Sequence, residues 1–185
     1  MPSTTSHRPL LLPLAGAAAL TLAAGIAAPA ATAADRVRER GDVVRYDTAL
    51  VPEDARARVT ATYDRKGGTE VVLRVRGLLP DREYGAHVHV NACGATGAAA
   101  GPHYQYVVDP VQPSVDPAYA NPENEIWLDF TTDARGNAVA RAEVDWQFPA
   151  NRRAGSVVIH AEHTSTEPGM AGMAGARVGC VTAPF

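Results

Sequence analysis

The sequence predicts an all-β protein, built as an antiparallel sandwich or barrel. Several short stretches alternate apolar and polar residues, which is the side-chain period of a half-buried strand. Hairpin turn signals, "DRKGG" at 64–68 and "DARGN" at 133–137, separate neighbouring stretches of this kind. After the N-terminal segment, no stretch has a convincing amphipathic helical period. Together these observations favour packed antiparallel strands over a helical or mixed fold.

The N-terminal segment, residues 1–33, reads as a secretory signal peptide. A polar start with Arg8 precedes the apolar run "PLLLPLAGAAALTLAAGIAAPA", and Ala31 and Ala33 supply an A-x-A cleavage pattern. The alternative is a membrane anchor, which the prolines and the many small residues disfavour. We therefore predict cleavage after Ala33 and a secreted, extracytoplasmic protein with no stable membrane insertion.

The strand signals follow one another along the rest of the chain. Residues 34–50 are charged and form either a linker or a first edge strand, and residues 51–185 form the predicted domain. Residues 91–124 and 164–176 are rich in Gly, Ala and Pro, and long loops of this kind are usually functional or disordered. The predicted strands lie at 55–63, 69–78, 85–90, 125–132, 138–146, 155–163 and 177–185.

The overall charge is mildly acidic. Arg8 is the charged residue of the predicted signal, so the net charge changes from −3 for the whole chain to −4 without residues 1–33. This balance argues against nucleic acid or an anionic membrane as a partner. The sequence leaves the oligomeric state unknown.

The two cysteines, Cys93 and Cys180, suggest a disulfide. An even count is typical of exported chains, and two cysteines allow one intramolecular pairing. Such a bridge closes a loop of nearly ninety residues, which the chain-entropy model values on the order of 4 kcal/mol. The alternative is two free buried thiols.

Histidines form the most informative pattern. In "GAHVHV", His87 and His89 lie two apart on a predicted strand, so both imidazoles face the same side. Neutral imidazole is a common ligand for copper and zinc, and histidines from loops can complete such a site. The alternative for this pair alone is two polar residues on a solvated strand face. The remaining histidines of the predicted mature chain are His103, His160 and His163.

The motifs together resemble the copper–zinc superoxide dismutase family. "GAHVH", "GPH", "VVIHAEH" and "AGARVGC" occur in the order and rough spacing of that family's G-F-H-V-H, A-G-P-H-F, V-V-H and A-G-S-R-x-x-C. The turn "GLLPDREYGAHVH" is similar to the family's approach to its first ligand pair. The resemblance extends from about residue 55 to residue 182.

The resemblance implies an eight-stranded Greek-key β-barrel and a copper site. It implies that Cys93 and Cys180 form the family's intrachain disulfide, and that Gly85 lies where the backbone packs tightly before the first ligand. Arg177 would guide the superoxide anion, so Arg177 and His103 are the residues expected to act in catalysis. The implied copper ligands are His87, His89, His103 and His160.

The loop after His103 departs from the family pattern. The family's zinc site needs two more histidines and an aspartate there, whereas this loop has no further histidine and offers Asp109, Asp116 and Glu123. Carboxylates without imidazole make a poor zinc site. Zinc is therefore doubtful, His103 is expected to be an ordinary copper ligand, and the chain resembles the copper-only branch.

Further residues carry open alternatives. Glu125 is either an acceptor that orients a ligand histidine or a solvated carboxylate at a strand end. His163 is a fifth or substitute ligand, a residue that contacts a ligand from outside the site, or a surface histidine. Met170 and Met173 are either soft Cu(I) donors or flexible loop contacts. The loop between His160 and Arg177 contains glutamates and no Lys or Arg.

The expected function is that of an exported, copper-dependent superoxide dismutase, which converts superoxide to dioxygen and hydrogen peroxide. The alternative is a related protein that binds or stores copper with little or no turnover. A third interpretation, a structural sandwich without metal, is disfavoured because all four ligand positions and Arg177 are present.

Overall fold

Two antiparallel β-sheets face each other across a hydrophobic core. The computed structural model describes residues 1–3 and 36–185, and residues 36–185 belong to a single unit. The first sheet has the strand order β1-β3-β4-β7, and the second has the order β2-β9-β8-β5-β6. The strands in the described part of the chain are β1 (Arg36–Asp42), β2 (Val44–Arg45), β3 (Arg56–Tyr63), β4 (Thr69–Arg76), β5 (Glu83–His89), β6 (Phe130–Thr131), β7 (Ala138–Val144), β8 (Ser156–His160) and β9 (Arg177–Thr182).

This architecture confirms the predicted all-β, antiparallel fold. The structure is a sandwich, because the two sheets do not close into a barrel. Among the described residues there are nine strands where the resemblance implied eight, and the Greek-key order stays a prediction. The only helical turn in that part of the chain is a short 3-10 helix, Gly97–Ala100, in the long loop after β5.

Alternation in the sequence explains why the strands form where they do. In β3, Ala57, Val59 and Ala61 are buried while the residues between them point outward. Inward-facing residues from both sheets meet in one core cluster, which includes Leu73 of β4 and Ile159 of β8. Burying each large aliphatic side chain contributes about 1.5–3 kcal/mol, so this core fixes which face of every strand points inward.

The segment that the sequence left as a linker or a first edge strand, residues 34–50, contains strands from Arg36 onward. β1 lies at the edge of the first sheet beside β3. β2 pairs with β9 in the second sheet. The predicted signal peptide lies outside the described residues. Within the described chain, no helix is both long and apolar enough to cross a bilayer.

The strand expected at 125–132 is mostly irregular. Only β6, Phe130–Thr131, is a regular strand, although the segment before it runs along β5. The backbone N–H of Ala86 donates to the carboxylate of Asp129 at 3.0 Å, so a side chain takes the donor that a continuous ladder would use. This interruption places the side chains of 125–129 around the histidines described below.

The cysteines form a disulfide. Cys93 and Cys180 are bonded with their Cα atoms 5.8 Å apart, and no cysteine is free. The bond joins the loop after β5 to β9. It therefore fixes one side of the loop that returns to the histidines described below.

Candidate metal centre

Neighbouring elements of the second sheet bring four histidines together. β5 and β8 pair so that Gly85 lies opposite His160 and His87 lies opposite Val158. The long loop after β5 returns and makes a single antiparallel bridge between His103 and His89. Two ligand candidates thus come from one strand, one from the end of the next strand and one from the returning loop.

The four imidazoles face one point. Each offers one nitrogen, and these four nitrogens all lie within 4.8 Å of one another. His87 and His89 are fully buried, His160 is 3% exposed, and the side chain of His103 is 19% exposed. The cluster is therefore enclosed on three sides and reachable from solvent at His103.

In three of the four rings, the nitrogen that points away from the centre makes a hydrogen bond. His89 Nδ1 lies 3.0 Å from the carbonyl oxygen of Gly101, and His103 Nδ1 lies 2.8 Å from Glu125 Oε2. His160 Nδ1 is 3.4 Å from the carbonyl oxygen of Gly175. Because carbonyl and carboxylate oxygens only accept, these three rings carry hydrogen on Nδ1 and present the lone pair of Nε2 to the centre.

His87 has the opposite arrangement. Its Nε2 lies 2.7 Å from Thr164 Oγ1, and Thr164 Oγ1 lies 2.7 Å from Asp129 Oδ1. Since the aspartate only accepts, the hydroxyl donates to it and accepts from His87 Nε2–H. The lone pair of His87 therefore sits on Nδ1, an atom that is buried and has no hydrogen-bond partner.

The residues fit a bound transition-metal ion. A buried acceptor without a partner costs free energy unless something occupies its lone pair. His89 Nε2 and His160 Nε2 also approach to 3.4 Å although neither carries hydrogen in the tautomers above. A cation among four neutral imidazoles satisfies all of these lone pairs, and an all-nitrogen set suits copper or zinc.

Burial keeps these rings neutral. It lowers the pKa of His87 and of His89 well below 6.5, and neighbouring histidines lower both further. Burial also lowers the pKa of His160 to about 3. Neutral imidazole is the form that binds metal, so the site is ready to coordinate at neutral pH.

Glu125 is a buried acceptor that three side chains share. It is 1% exposed, which excludes the solvated carboxylate considered above. Oε2 accepts from His103 Nδ1 and, at 2.7 Å, from Trp127 Nε1, while Oε1 accepts from Gln105 Nε2 at 2.8 Å. These contacts fix the ring orientation of His103. They also occupy its second nitrogen, so in this conformation His103 can bind one metal ion but cannot bridge two.

Replacing Glu125 by glutamine should weaken metal binding by about 10–100-fold, the usual effect of losing such an outer partner of a ligand. The amide has one acceptor oxygen, so either orientation places its NH₂ group against a donor of His103, Trp127 or Gln105. Copper affinity can be measured by competition with a chelator. Glu123→Gln, an exposed neighbour, is the matched control. Equal affinities for the two variants would contradict the orienting role.

Sequence reasoning missed Asp129 and Thr164. Asp129 accepts from the Thr164 hydroxyl and backbone N–H, and Thr164 contacts His87. Neither residue type is distinctive in sequence, and the contact joins segments 35 residues apart. The sequence therefore contains no motif for this contact. The one available signal was that Thr164 follows the end of β8, at His160, by a few residues.

His163 lies outside the cluster. Its side chain is 60% exposed, and its Nδ1 lies 3.3 Å from Asp129 Oδ2. The residue is therefore exposed and is not one of the four clustered histidines. Its contact with Asp129 places it at the outer end of the hydrogen bonds that reach His87 through Thr164.

Arg177 lies beside the histidine cluster at the mouth of a cavity. It pairs with His160 across β8 and β9, where a bulge interrupts the register. The cavity has a volume of about 210 Å³, and its lining includes His103, His160 and Arg177. Among its described lining residues, Arg177 alone carries a permanent positive charge. Met173 also lines the cavity, and both Met173 and Met170 are about half exposed.

At Gly97 and Gly85 the backbone passes so close to neighbouring atoms that a side chain would collide with them. Arg177 Nη1 donates to the carbonyl oxygen of Gly97 at 2.7 Å, and a Cβ on Gly97 would lie 2.8 Å from Arg177 Cβ. A Cβ on Gly85 would lie 2.5 Å from the carbonyl oxygen of Glu162. Both positions therefore need glycine because no side chain fits.

Comparisons with known proteins identify the fold class. The sequence matches no family model and no curated protein. A double mutant of a SOD-like protein from Bacillus subtilis has a similar structure, with 14% identity over 78% of this chain and 95% of that chain and a TM-score of 0.55. The clock protein EA4 is also similar, with 22% identity over 83% of this chain and 96% of that chain and a TM-score of 0.53. At these identities the likeness shows a shared fold, that of SOD-like proteins; the four-histidine cluster and the disulfide are observations on this chain.

Proposed function

We propose that the protein is an exported copper enzyme that dismutates superoxide. The observation that carries this proposal is the convergence of four neutral imidazoles, with the buried Nδ1 of His87 left without a partner. His87 would coordinate through Nδ1, and the rings of His89, His103 and His160 through Nε2. Copper bound there would supply one-electron chemistry, so that one superoxide would lose an electron to become dioxygen, while a second would gain an electron and two protons to become hydrogen peroxide.

The protein's own groups would admit and hold the anion. His103 is the partly exposed member of the cluster, so a small anion reaches the centre from its side. Arg177 remains charged and lies in the same cavity, where its guanidinium attracts superoxide and donates hydrogen bonds to it. Its contact with the Gly97 carbonyl keeps the side chain in one position before the anion arrives.

The contacts of His103 support a single-metal site. In a two-metal site its Nδ1 would bind a second ion, but here that nitrogen donates to Glu125. Two loop carboxylates considered for zinc also serve the local backbone: Asp109 accepts from the N–H of Val111, and Asp116 accepts from that of Ala118. Copper without zinc is the composition we propose.

Export is supported by the disulfide. A bond between Cys93 and Cys180 persists in oxidising compartments, whereas cytosolic proteins rarely keep one. The proposal includes cleavage after Ala33, with residues 34–185 as the mature protein. Mass spectrometry of the protein recovered outside the cytoplasm tests the cleavage position directly.

The function is tested by combining metal analysis with a superoxide assay. We expect close to one copper per chain, no stoichiometric zinc, and superoxide decay far above that of buffer at equal free copper. One copper per chain without turnover would favour storage instead. The absence of Lys and Arg from residues 161–176, which contain Glu162 and Glu167, is the observation that favours this second candidate.

Arg177→Gln should lower the rate constant for superoxide at low ionic strength by about tenfold or more, because the cavity loses its positive charge. Copper content should stay the same, since Arg177 binds no metal. The steady-state rate is measured across a salt series, and Arg177→Lys is the control that retains the charge. A glutamine variant with the same rate and the same salt dependence as the original protein would rule out the guiding role.

A further inference from the structure

The outer face of the first sheet is strongly basic, on the side of the sandwich away from the histidines. Residues that alternate with the core positions of β1, β3, β4 and β7 form this face. Its carboxylates are Asp42, Glu70 and Glu143. Where the structure describes the side chains, its arginines, all exposed or half-exposed, are Arg36, Arg38, Arg56, Arg58, Arg74, Arg76 and Arg141.

Like charges oppose each other directly at the centre of this basic face. Arg56 lies opposite Arg76, and Arg58 lies opposite Arg74, in the register of β3 and β4. Like charges in such cross-strand pairs destabilise a sheet. The chain nevertheless places these four arginines next to one another. Proteins keep destabilising arrangements of this kind mainly at functional sites, so the four arginines indicate a binding site.

Carboxylates neutralise only the edges of the basic face. Asp42 lies 2.9 Å from Arg56, and Glu70 pairs with Arg141. Among the described residues, Arg58, Arg74 and Arg76 form no ion pair with a carboxylate. Their charge is therefore uncompensated, although the chain as a whole has a net charge of −3.

The arginines line a groove. One concavity of about 160 Å³ is lined by the four opposed arginines of β3 and β4 together with Ala57. A second concavity shares Arg74 and Arg76 and continues to Arg135 in the turn before β7, where Asp133 is the one carboxylate among its described lining residues. The groove thus crosses β3 and β4 and offers guanidinium groups along its length, at strand spacings of about 5–7 Å.

We propose that this groove binds a linear polyanion that carries phosphate or sulfate groups. Guanidinium forks bind such groups through paired hydrogen bonds, and several forks in one groove hold several groups of a single chain. The outward positions of β3, β4 and β7 have no aromatic residue on which nucleobases could stack. Val139, at 61% exposure, is the only exposed apolar side chain at the described outward positions of these strands, so the face lacks the large apolar groups that insert into lipid. This inference is independent of the proposed copper chemistry, since it uses the other sheet.

Binding to inorganic polyphosphate and to heparin tests the proposal, with the purified full chain and three charges removed. The variant Arg58→Gln, Arg74→Gln, Arg76→Gln should bind both probes at least tenfold more weakly in about 50 mM salt, and its plot of log affinity against log salt should be shallower by about two. The control Arg45→Gln, Arg65→Gln, Lys66→Gln removes three exposed charges away from the groove and should stay within twofold of the original protein.

Circular dichroism and copper content should match for all three proteins, which separates lost binding from lost folding. Orthophosphate at the same phosphate concentration should not compete, because it cannot span several arginines. Equal loss in both variants, or no loss in the groove variant, would overturn the proposal. Tighter binding to single-stranded DNA or to phosphatidylglycerol vesicles than to either probe would also overturn it, in favour of nucleic acid or membrane.

Discussion

Acidification below pH 6.5 should destabilise the metal-free protein more than any other mild treatment. His87, His89 and His160 are buried as neutral rings, and burial lowers their pKa values in the folded state. Below pH 6.5 the unfolded chain binds protons at these rings while the folded protein does not. The contribution is thus fully present above 6.5 and is lost as pH falls, for His160 until a pH of about 3.

The expected slope is large. Each buried ring contributes up to about 1.4 kcal/mol per pH unit, so three rings contribute up to about 4 kcal/mol per unit. A drop from pH 6.5 to 5 would remove up to about 5 kcal/mol, which is comparable to the whole stability of a marginal domain. Urea unfolding of the metal-free protein at a series of pH values measures this slope.

His160→Gln provides the matched comparison, because glutamine does not titrate. Its slope should be smaller than that of the original protein by about 1.4 kcal/mol per pH unit. A free energy of unfolding that stays constant between pH 6.5 and 5 would show that the folded protein accommodates charged rings at the centre.

Loss of the Cys93–Cys180 disulfide should lower the free energy of unfolding by about 4 kcal/mol. The bond closes a loop with a sequence separation of 87, and the chain-entropy model predicts an effect of this size for the unfolded state. The double variant Cys93→Ala, Cys180→Ala removes the bond. Alanine is chosen because Cys180 is fully buried, where a serine hydroxyl would be a buried polar group. Urea unfolding at neutral pH gives the difference.

Two further measurements make the disulfide prediction specific. A reducing agent should destabilise the original protein by a similar amount and leave the double alanine variant unchanged. Because the bond also holds the loop that contains Gly97, the acceptor of Arg177, the variant should lose some salt dependence in the superoxide assay. If the double variant and the original protein unfold at the same urea concentration, the loop is held by other contacts.

Local pattern was sufficient for the strands with one buried face. Alternation located β3, β4 and β7, because a period of two is visible in any half-buried strand, whereas β8 is a short apolar run that is buried at every position. It was misleading at 125–132, where apolar residues alternate but the Asp129 carboxylate replaces a backbone acceptor. A side chain that competes for a ladder hydrogen bond leaves no periodic signal.

The sequence predicted which four histidines converge, but it did not predict the residues that surround them. The order of the four histidine motifs and Arg177 carried the resemblance, and the structure brings those residues together around one cavity. For Glu125 the sequence left open whether it orients a histidine or is a solvated carboxylate. Its burial rules out the solvated carboxylate. The bonds from Thr164 and Asp129 to His87 depend on segments far apart in sequence.

The basic face of the first sheet could not be predicted from the sequence either. Net charge averages over the whole chain, so a mildly acidic total concealed a face where arginines oppose one another across β3 and β4. Only the register of paired strands reveals which residues of the two strands are neighbours.

By itself, the sequence determined the all-β class, most strand positions, the pairing candidates for the disulfide and the identity of the four converging histidines. Tertiary structure alone decided which nitrogen of each ring faces the centre, which acceptors hold the rings, and where positive charge accumulates. The physical reason is that strand formation depends on neighbours along the chain, whereas hydrogen-bond partners and local charge depend on distances between segments that only the packed sheets set.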